Sequence, residues 1–260
     1  NSFIFSPYLS FKGFVIQYEV LQVCLICKQN VVLFRILLLV YIRISLYDNN
    51  LLSIFFIYEE FGMLVTKPAP DFTAEAVKPD GTFDNEFSLY GNIGKNGAVI
   101  FFWPKDFTFV CPSEIIAFDK RVKDFEARGV KVIGVSIDSK EVHFAWRNVP
   151  VNEGGIGAVT FPMVSDLKKQ ISRDYDVLFD GAVALRGSFL IDKNKVIRHA
   201  VINDLPLGRN VDEMIRMVDA MLFVEEHGEV CPAGWNKGDE GMKPNAQGVA
   251  EYLAKNADKL

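Results

Sequence analysis

The sequence predicts an α/β protein in which a central mixed sheet is flanked by helices. Three neighbouring segments indicate this class. AVIFFW at 98–103 is a short apolar run typical of a buried strand, and VKVIGVSID at 130–138 is predicted to be a second strand. The segment between them repeats apolar residues at helical spacing, so the three together form a βαβ unit with a parallel strand pair.

The remaining elements follow in chain order. The helix of the βαβ unit ends at Gly129, and its apolar positions are Ile115, Phe118, Val122 and Phe125. A second helix is predicted near 139–148, before a long loop that contains NEGGIG. We expect a short strand near 161–164 and a helix near 166–175. LRGSFLID and KVIRHAVIN then alternate apolar and polar residues, which predicts a β-hairpin.

A final helix is predicted to begin after Asn210, with Glu213 as its capping-box partner. Its apolar residues form one stripe, made of Val211, Met214, Ile215, Val218, Met221 and Leu222. Beyond Gly228 the composition changes to Gly, Pro and Lys, which predicts a tail rather than core. This order of elements is the one expected of a thioredoxin-like fold. We therefore predict a domain at 63–225 and a C-terminal tail at 226–260.

Residues 1–62 differ in composition from the rest and show no steady period. Their most apolar run, VVLFRILLLVYI, is interrupted by Arg35 and falls short of the roughly 18 apolar residues of a membrane span. A secretory signal would have a charged start and a small-residue cleavage site, which are missing. The segment could be a membrane anchor, a targeting segment, or sequence outside the natural protein. We favour the third, because Met63 opens the well-patterned domain whereas the chain begins with Asn1.

Cys24 and Cys27 form a C-x-x-C motif in this first segment. A redox role needs a helix that begins after a strand, and a zinc role needs a second pair of ligands. The sequence offers neither context, so we expect no function of these two cysteines.

Composition and charge limit the classes of function. The chain is half apolar and 23% charged, with a net charge of -5 and a pI near 5.3. An acidic protein is a poor match for nucleic acid or an anionic membrane, so neither is expected as a partner. Four cysteines are too few for a secreted disulfide scaffold, which favours a reducing, cytoplasmic location. His143, His199 and His227 lie on separate predicted elements, so we expect no metal site and no cofactor.

Cys111 lies where a strand ends and a helix begins. Unpaired N–H groups and the positive end of the helix dipole favour a thiolate at such a position. Glu114 occupies the place of the second cysteine of a C-x-x-C, so a redox partner must come from elsewhere in the chain or from another molecule. A free cysteine is often only a small buried residue. Pro104 and Thr108 in the same short loop favour a reactive cysteine instead.

Several segments of the sequence, beginning with the one around Cys111, resemble those of a known family. PKDFTFVCPSE is similar to the peroxidatic loop of the peroxiredoxins, whose pattern of Pro, Thr or Ser, and Cys is matched by Pro104, Thr108 and Cys111. GEVCPAGW, around Cys231, resembles the resolving-cysteine segment of the typical two-cysteine branch. HFAW, GGIG, LRGSFLID and NDLPLGR match in the same order. The resemblance spans residues 63–260.

The resemblance implies a thiol peroxidase for hydrogen peroxide and organic hydroperoxides. Cys111 is then the thiolate that attacks the terminal oxygen of the peroxide and becomes a sulfenic acid. Thr108 aligns peroxide and thiolate through its hydroxyl, and Pro104 shields the thiolate from water. Arg186 supplies a permanent positive charge that favours the thiolate and polarises the O–O bond.

The resemblance also implies the rest of the cycle. Glu114 and Arg209 are expected to hold the catalytic arginine in place. Cys231 is expected to form a disulfide with Cys111 of another subunit, which implies a homodimer and often a ring of dimers. Thioredoxin is the favoured reductant of this disulfide, and a dedicated flavoprotein reductase is the alternative.

The sequence departs from the family pattern at two places. Ser113 replaces the Thr that usually follows Cys-Pro. The GGIG loop is present, whereas the C-terminal Tyr-Phe of peroxide-sensitive members is replaced by Tyr252 and Leu253, which predicts intermediate sensitivity to overoxidation.

Two other functions remain as alternatives. A holdase chaperone is one alternative function. A disulfide-exchange protein is another, disfavoured because Glu114 takes the place of the second cysteine.

Overall fold

The computed structural model describes residues 8–11, 14–17, 45–46 and 63–260. The chain divides into two compact units, Asn1–Glu60 and Phe61–Leu260. In the first unit, strands β1 (Tyr8–Phe11), β2 (Phe14–Gln17) and β3 (Ser45–Leu46) form an antiparallel sheet in that order. Cys24 and Cys27 lie outside the described residues. In the described part of the chain, no helix has the length and apolar character needed to cross a membrane.

The second unit is built on a seven-stranded mixed sheet. Its strands are β4 (Thr73–Val77), β5 (Phe83–Ser88), β6 (Gly97–Phe102), β7 (Val130–Ser136), β8 (Met163–Ser165), β11 (Arg186–Ile191) and β12 (Ile197–Asn203). They lie in the order β12-β11-β6-β7-β8-β4-β5. Of the neighbouring pairs in this sheet, β6 with β7 and β7 with β8 are parallel, and the others are antiparallel. A separate small pair consists of β9 (Leu178–Phe179) and β10 (Val183–Ala184).

Six helices are described in this unit. They are α1 (Leu89–Ile93), α2 (Cys111–Glu126), α3 (Lys140–Arg147), α4 (Gln170–Asp174), α5 (Val211–His227) and α6 (Ala246–Asn256). Short 3₁₀ turns occur at Val151–Glu153 and Ala257–Lys259. The predicted βαβ unit is β6-α2-β7, and the predicted hairpin is β11-β12. The mixed sheet flanked by helices confirms the predicted thioredoxin-like fold.

The sheet separates two hydrophobic clusters, and β6 contributes to both. Val99 and Phe101 face the cluster beneath α2 and α5, whereas Ile100 and Phe102 face the other cluster. Successive side chains of a strand point to opposite faces, so a strand covered on both sides must be apolar throughout. The continuous run AVIFFW therefore marks the centre of the sheet, directly before the loop that carries Cys111.

The C-terminal segment is more ordered than the composition predicts. The expected tail contains α6, and Trp235 is almost fully buried. The ring of Phe223 lies 4.9 Å from that of Trp235, and Arg216 Nη1 donates a hydrogen bond to the Trp235 carbonyl. These contacts hold the segment against α5. The expectation of a tail without core contacts was therefore wrong for the part around Trp235.

The start of α5 also differs in detail from the prediction. The Asn210 side chain accepts a hydrogen bond from the Asp212 N–H, as expected for an N-cap. The Glu213 carboxylate does not complete a capping box. It accepts two hydrogen bonds from Arg216 one turn later, because a guanidinium offers a carboxylate a matching pair of donors.

Candidate active site

Cys111 is the first residue of α2, and its side chain is fully buried. The loop that leaves the end of β6 brings the chain to this helix start. Pro112 fits the next position because the first N–H groups of a helix have no partner within it. No side chain caps the helix at Val110, so the sulfur lies at an uncapped positive end of a 16-residue helix.

Thr108 lies against the sulfur. Its Oγ1 is 2.9 Å from Cys111 Sγ and 2.8 Å from the carbonyl oxygen of Lys105. A hydroxyl has a single proton, and a carbonyl can only accept. When Cys111 is a thiol, the hydroxyl can donate to Lys105 and accept from S–H. When Cys111 is a thiolate, the hydroxyl can donate to the sulfur instead.

Arg186 approaches the sulfur from the start of β11. Its Nη1 lies 3.4 Å from Cys111 Sγ and donates at 2.6 Å to Glu114 Oε2, while Nε donates at 2.6 Å to the Leu205 carbonyl. The side chain of Arg186 is only 4% exposed. It thus places a permanent positive charge beside the buried sulfur.

Glu114 lies one turn after Cys111 on the same helix and is 3% exposed. Its Oε2 accepts from Arg186, and its Oε1 accepts from both the backbone N–H and the Nε of Arg209, at 2.9 and 2.8 Å. Charged groups can be buried when they are paired and fully hydrogen-bonded. This carboxylate therefore neutralises one of two buried guanidinium groups and orients both.

Arg209 precedes α5 and is held from several sides. Its Nη1 donates at 2.6 Å to the Gly187 carbonyl, on the strand that begins with Arg186. Its guanidinium carbon lies 5.5 and 5.7 Å from the ring centres of Phe101 and Phe118, within the range of cation–π attraction. Burial lowers the pKa of Arg209, and the hydrogen bond to Glu114 opposes that effect.

The loop before Cys111 combines a buried anchor with exposed aromatic residues. Pro104 is buried, whereas Phe109 is 99% exposed. Phe107 adopts a positive φ of 53°, a region that bulky side chains rarely enter, and its ring centre lies 5.6 Å from that of Trp146. Trp146 is fully buried, as expected for a core aromatic residue.

Cys231 is not part of this cluster. Its Sγ lies 3.6 Å from the carbonyl oxygen of Ala220, on α5 of its own chain. Burial raises the pKa of this thiol, and the positive charge of Arg216 opposes the shift. Ala220 is nine residues beyond Val211 (220 − 211), so it lies about 13 Å along the helix axis from the end near Arg209.

The structure thus brings five of the seven predicted site residues into direct contact: Cys111, Thr108, Arg186, Glu114 and Arg209. Pro104 lies in the same loop, whereas Cys231 is held elsewhere along α5. The sequence analysis missed Asp106, which is buried inside the loop and contacts Trp103 and His143. Its only signal was a charged residue next to Phe107 in a short loop.

A cavity of about 400 Å³ lies away from the sulfur, lined by residues that include Asn92, Glu126, Lys131 and Thr160 and by none of the seven predicted site residues. In the part of the chain that the structure describes, no cluster of His, Cys, Asp or Glu could hold a metal ion. A buried thiol flanked by a hydroxyl and a guanidinium, at a helix start of a thioredoxin-like fold, is characteristic of a thiol peroxidase for small substrates.

Comparisons with known proteins agree with this class. The family model described as the AhpC/TSA family matches residues 65–200, and that of the C-terminal domain of 1-Cys peroxiredoxin matches residues 220–255. Alkyl hydroperoxide reductase C of Helicobacter pylori is 72% identical over 198 residues, which are 76% of this chain and the whole of that protein. Peroxiredoxin-1 of Gallus gallus is 50% identical over 192 residues, covering 74% of this chain and 96% of the relative.

Solved structures give the same result. The reduced 2-Cys peroxiredoxin of Plasmodium vivax has a TM-score of 0.72 and 49% identity, and the match covers 74% of this chain and all of that one. The chain belongs to the AhpC/TSA family of peroxiredoxins. It is therefore a peroxidase that reduces hydroperoxides, which confirms the predicted class of enzyme.

Proposed function

We propose that Cys111 is the residue that reduces the peroxide, and that both hydrogen peroxide and organic hydroperoxides are substrates. The observation that carries the proposal is the contact of one buried sulfur with both Thr108 and Arg186. The thiolate attacks the terminal peroxide oxygen, and an S–O bond forms as the O–O bond breaks. The leaving oxygen takes a proton and departs as water or an alcohol, and Cys111 becomes a sulfenic acid.

Each neighbour has a separate role in this step. Arg186 stabilises the thiolate and the negative charge that develops on the leaving oxygen, because a fixed cation in a buried site needs no reorganisation during the reaction. Thr108 holds the sulfur and the peroxide in line through its hydroxyl. Pro104, buried at the start of the loop, limits the access of water to the sulfur.

Glu114 and Arg209 support this arrangement without contacting the substrate. The Glu114 carboxylate holds the guanidinium of Arg186 at Nη1, and the backbone carbonyl of Leu205 holds it at Nε. Arg209 in turn fixes that carboxylate through its backbone N–H and its Nε. Because all these groups are buried, their geometry is held by partners rather than by solvent.

The second half of the cycle uses Cys231. Its thiol condenses with the sulfenic acid of Cys111, so that a disulfide forms and water leaves. Within one chain Cys111 lies at the start of α2, whereas Cys231 packs beside Ala220 on α5 and has no contact with Cys111, which supports a disulfide between two subunits. This requires at least a homodimer, and a ring of dimers would repeat that contact. A structural neighbour, a Plasmodium yoelii peroxiredoxin modified at its N-terminus, forms an artifactual octamer.

An external dithiol restores both thiols by exchange with the disulfide. Thioredoxin is the reductant we favour, and a dedicated flavoprotein reductase is the alternative. Such a cycle needs a compartment that maintains reduced dithiols, so the cytoplasm is the location we propose.

The peroxidase unit is proposed to comprise residues 63–225, with 226–260 as the segment that carries Cys231. The matched regions at 65–200 and 220–255 support this division.

Turnover measurements with single-cysteine variants test the proposed mechanism. Cys111→Ser should abolish peroxide consumption with either reductant system. Cys231→Ser should consume one equivalent of peroxide per chain and then stop, because the sulfenic acid has no resolving thiol. On non-reducing gels, only the wild type should give a disulfide-linked dimer after peroxide treatment. Multiple turnovers by Cys111→Ser would refute the assignment.

A further inference from the structure

A buried polar network lies inside the loop that leads to Cys111, and its centre is Asp106. Asp106 is 3% exposed. Its Oδ1 accepts a hydrogen bond from Trp103 Nε1, and its Oδ2 lies 2.7 Å from His143 Nδ1. Its backbone N–H donates at 2.7 Å to Asp138 Oδ2. The loop is thereby attached to α3, through His143, and to the segment after β7, through Asp138.

His143 connects Asp106 to the neighbouring strand β8. The ring is fully buried, and its Nε2 lies 3.2 Å from the carbonyl oxygen of Val164. Its Nδ1 lies 2.7 Å from a carboxylate oxygen of Asp106. Both ring nitrogens therefore have polar partners, which fixes the orientation of the ring.

Asp138 and Ser136 complete the polar surroundings of this pair. Ser136 Oγ lies 3.2 Å from Asp138 Oδ2 and 3.5 Å from Asp106 Oδ1. Burial raises the pKa of Asp138, and the negative charge of Asp106 adds to this, whereas the positive charge of His143 opposes it. The hydrogen bonds to both carboxyl groups therefore offset part of the cost of burying them close together.

One peptide group connects this network to the reacting sulfur. The N–H of Asp106 and the C=O of Lys105 belong to the same planar peptide unit. The N–H donates to Asp138, and the C=O lies 2.8 Å from Thr108 Oγ1, which in turn lies 2.9 Å from Cys111 Sγ. Fixing one end of a rigid peptide fixes the direction of the other, so the orientation of the Thr108 hydroxyl depends on the contact with Asp138.

We propose that Asp138, Asp106 and His143 are positioning residues that hold the Thr108 hydroxyl beside the sulfur of Cys111. This inference rests on the proposed function of Cys111 and extends it to three residues that do not contact the sulfur. Asp138 holds the peptide between Lys105 and Asp106, and the contact between Asp106 and His143 keeps that part of the loop in place. The Lys105 carbonyl accepts from Thr108 when Cys111 is a thiol, so the side chain is held where its hydroxyl can turn to donate to the thiolate.

Two substitutions at Asp138 distinguish the loss of its hydrogen-bond acceptor from the loss of its negative charge. Asp138→Asn keeps an oxygen that can accept from the Asp106 N–H, whereas Asp138→Ala removes it. We expect the second-order rate constant for peroxide with reduced Cys111 to fall about a hundredfold in Asp138→Ala, the loss typical of a small misplacement of a reacting group. Asp138→Asn should keep most of the wild-type rate. The rate of disulfide formation with Cys231, followed in the same stopped-flow trace, should fall in neither variant.

A double-mutant cycle tests whether the effect passes through Thr108. In a Thr108→Val background the hydroxyl is absent, so Asp138→Ala should cause no further loss of rate. A residue that only stabilises the fold would lower the rate by the same factor in both backgrounds. Equal factors would overturn the proposal. Ile133→Val, a core change in β7, serves as the control for general destabilisation.

Histidine variants and a spectrum provide measurements that do not need a folded Asp138 variant. His143→Asn keeps a donor near the position of Nδ1 and should lose less peroxide rate than His143→Leu. NMR of the reduced wild type should show that the backbone amide of Asp106, which donates to Asp138, exchanges its hydrogen slowly with solvent. Exchange as fast as that of an exposed amide would overturn the proposal. This measurement does not depend on turnover, so its failure is distinguishable from a failure of Cys111→Ser to abolish activity.

Discussion

The guanidinium of Arg186 contacts the sulfur of Cys111 through the same nitrogen that donates to Glu114. Nη1 lies 3.4 Å from Sγ and 2.6 Å from Oε2. Arg186, Arg209 and Glu114 together carry one excess positive charge, and all three are buried. The guanidinium beside the sulfur therefore supplies a positive charge where the proposed reaction develops a negative one.

Replacing the cation should slow the reaction with peroxide. Arg186→Gln removes the charge while keeping a donor, and we expect the second-order rate constant to fall about a hundredfold or more, as for the loss of a donor to developing charge. Stopped-flow measurement at a fixed pH gives this constant. Arg198→Gln is the matched control. Arg198 lies on β12, where it pairs with Asp192, and it has no contact with the sulfur. An unchanged rate in Arg186→Gln would exclude a role for the charge.

Replacing the hydroxyl should have a comparable effect on the same step. Thr108→Val keeps the shape of the side chain and removes its polar contacts with Cys111 and Lys105. We expect a loss of about a hundredfold in the peroxide rate. Thr108→Ser retains the hydroxyl and should keep most of the rate. If both variants lose activity equally, the shape of the threonine matters and its hydroxyl does not.

Neutralising the shared carboxylate should destabilise the fold. Glu114→Gln leaves Arg186 and Arg209 buried beside a neutral amide, and breaking a buried ion pair in this way costs about 3–5 kcal/mol. Urea unfolding with fluorescence detection measures the free energy of unfolding. Glu213→Gln is the control, because its pair with Arg216 is partly exposed and should be worth less than about 1 kcal/mol. Equal losses of unfolding free energy in the two variants would show that burial does not determine the cost of breaking an ion pair.

The resolving step should respond to pH through Cys231. Burial raises the pKa of this thiol, and Arg216 opposes the shift. Arg216→Gln should therefore raise the pKa further, so that disulfide formation reaches its maximal rate at a higher pH, because the thiolate is the nucleophile. Lys193→Gln, an exposed change of the same charge, is the control. A shift of the rate profile toward lower pH would contradict this reasoning.

The same raised pKa has a consequence for the stability of the C-terminal segment. A thiol whose pKa is higher when folded than when unfolded stabilises the fold below the unfolded pKa, and this contribution is lost as the pH rises through the folded pKa. At pH values between the unfolded and the folded pKa and above, the backbone amides around Cys231 should therefore exchange their hydrogens faster, relative to those of the rest of the chain. Cys231→Ser should remove this pH dependence, whereas retention of the dependence would assign it to another group.

The periodic elements of the fold were predictable because they are amphipathic or wholly apolar. The strands β6 and β7 and the helices α2 and α5 carry strong patterns, and the structure contains all four. The edge pair β4 and β5 was missed. FDNEFS, the sequence of β5, is mostly exposed and buries only Phe87, so its pattern is that of a polar loop. Helix α6 was missed for a related reason, since the Gly- and Pro-rich segment before it hides its start.

The residues of the site also divide into those that the local sequence predicts and those that it does not. Pro104, Thr108 and Cys111 lie within eight residues (111 − 104 + 1), so their proximity follows from the local sequence. Arg186 and Arg209 became candidates only through the family resemblance, because contacts between distant residues depend on how the sheet orders its strands. His143 and Asp138 meet Asp106 for the same topological reason. No local pattern distinguishes such residues from ordinary buried polar groups.

The docking of Cys231 beside Ala220 has a kinetic consequence. A single protomer can carry out the oxidation of Cys111, and the proposed disulfide needs a second protomer. Dilution below the dissociation constant of the dimer would then leave the first step unimpaired and stop the cycle after one equivalent of peroxide. The turnover number would depend on the concentration of the enzyme itself, so assembly would control how much peroxide each chain can remove.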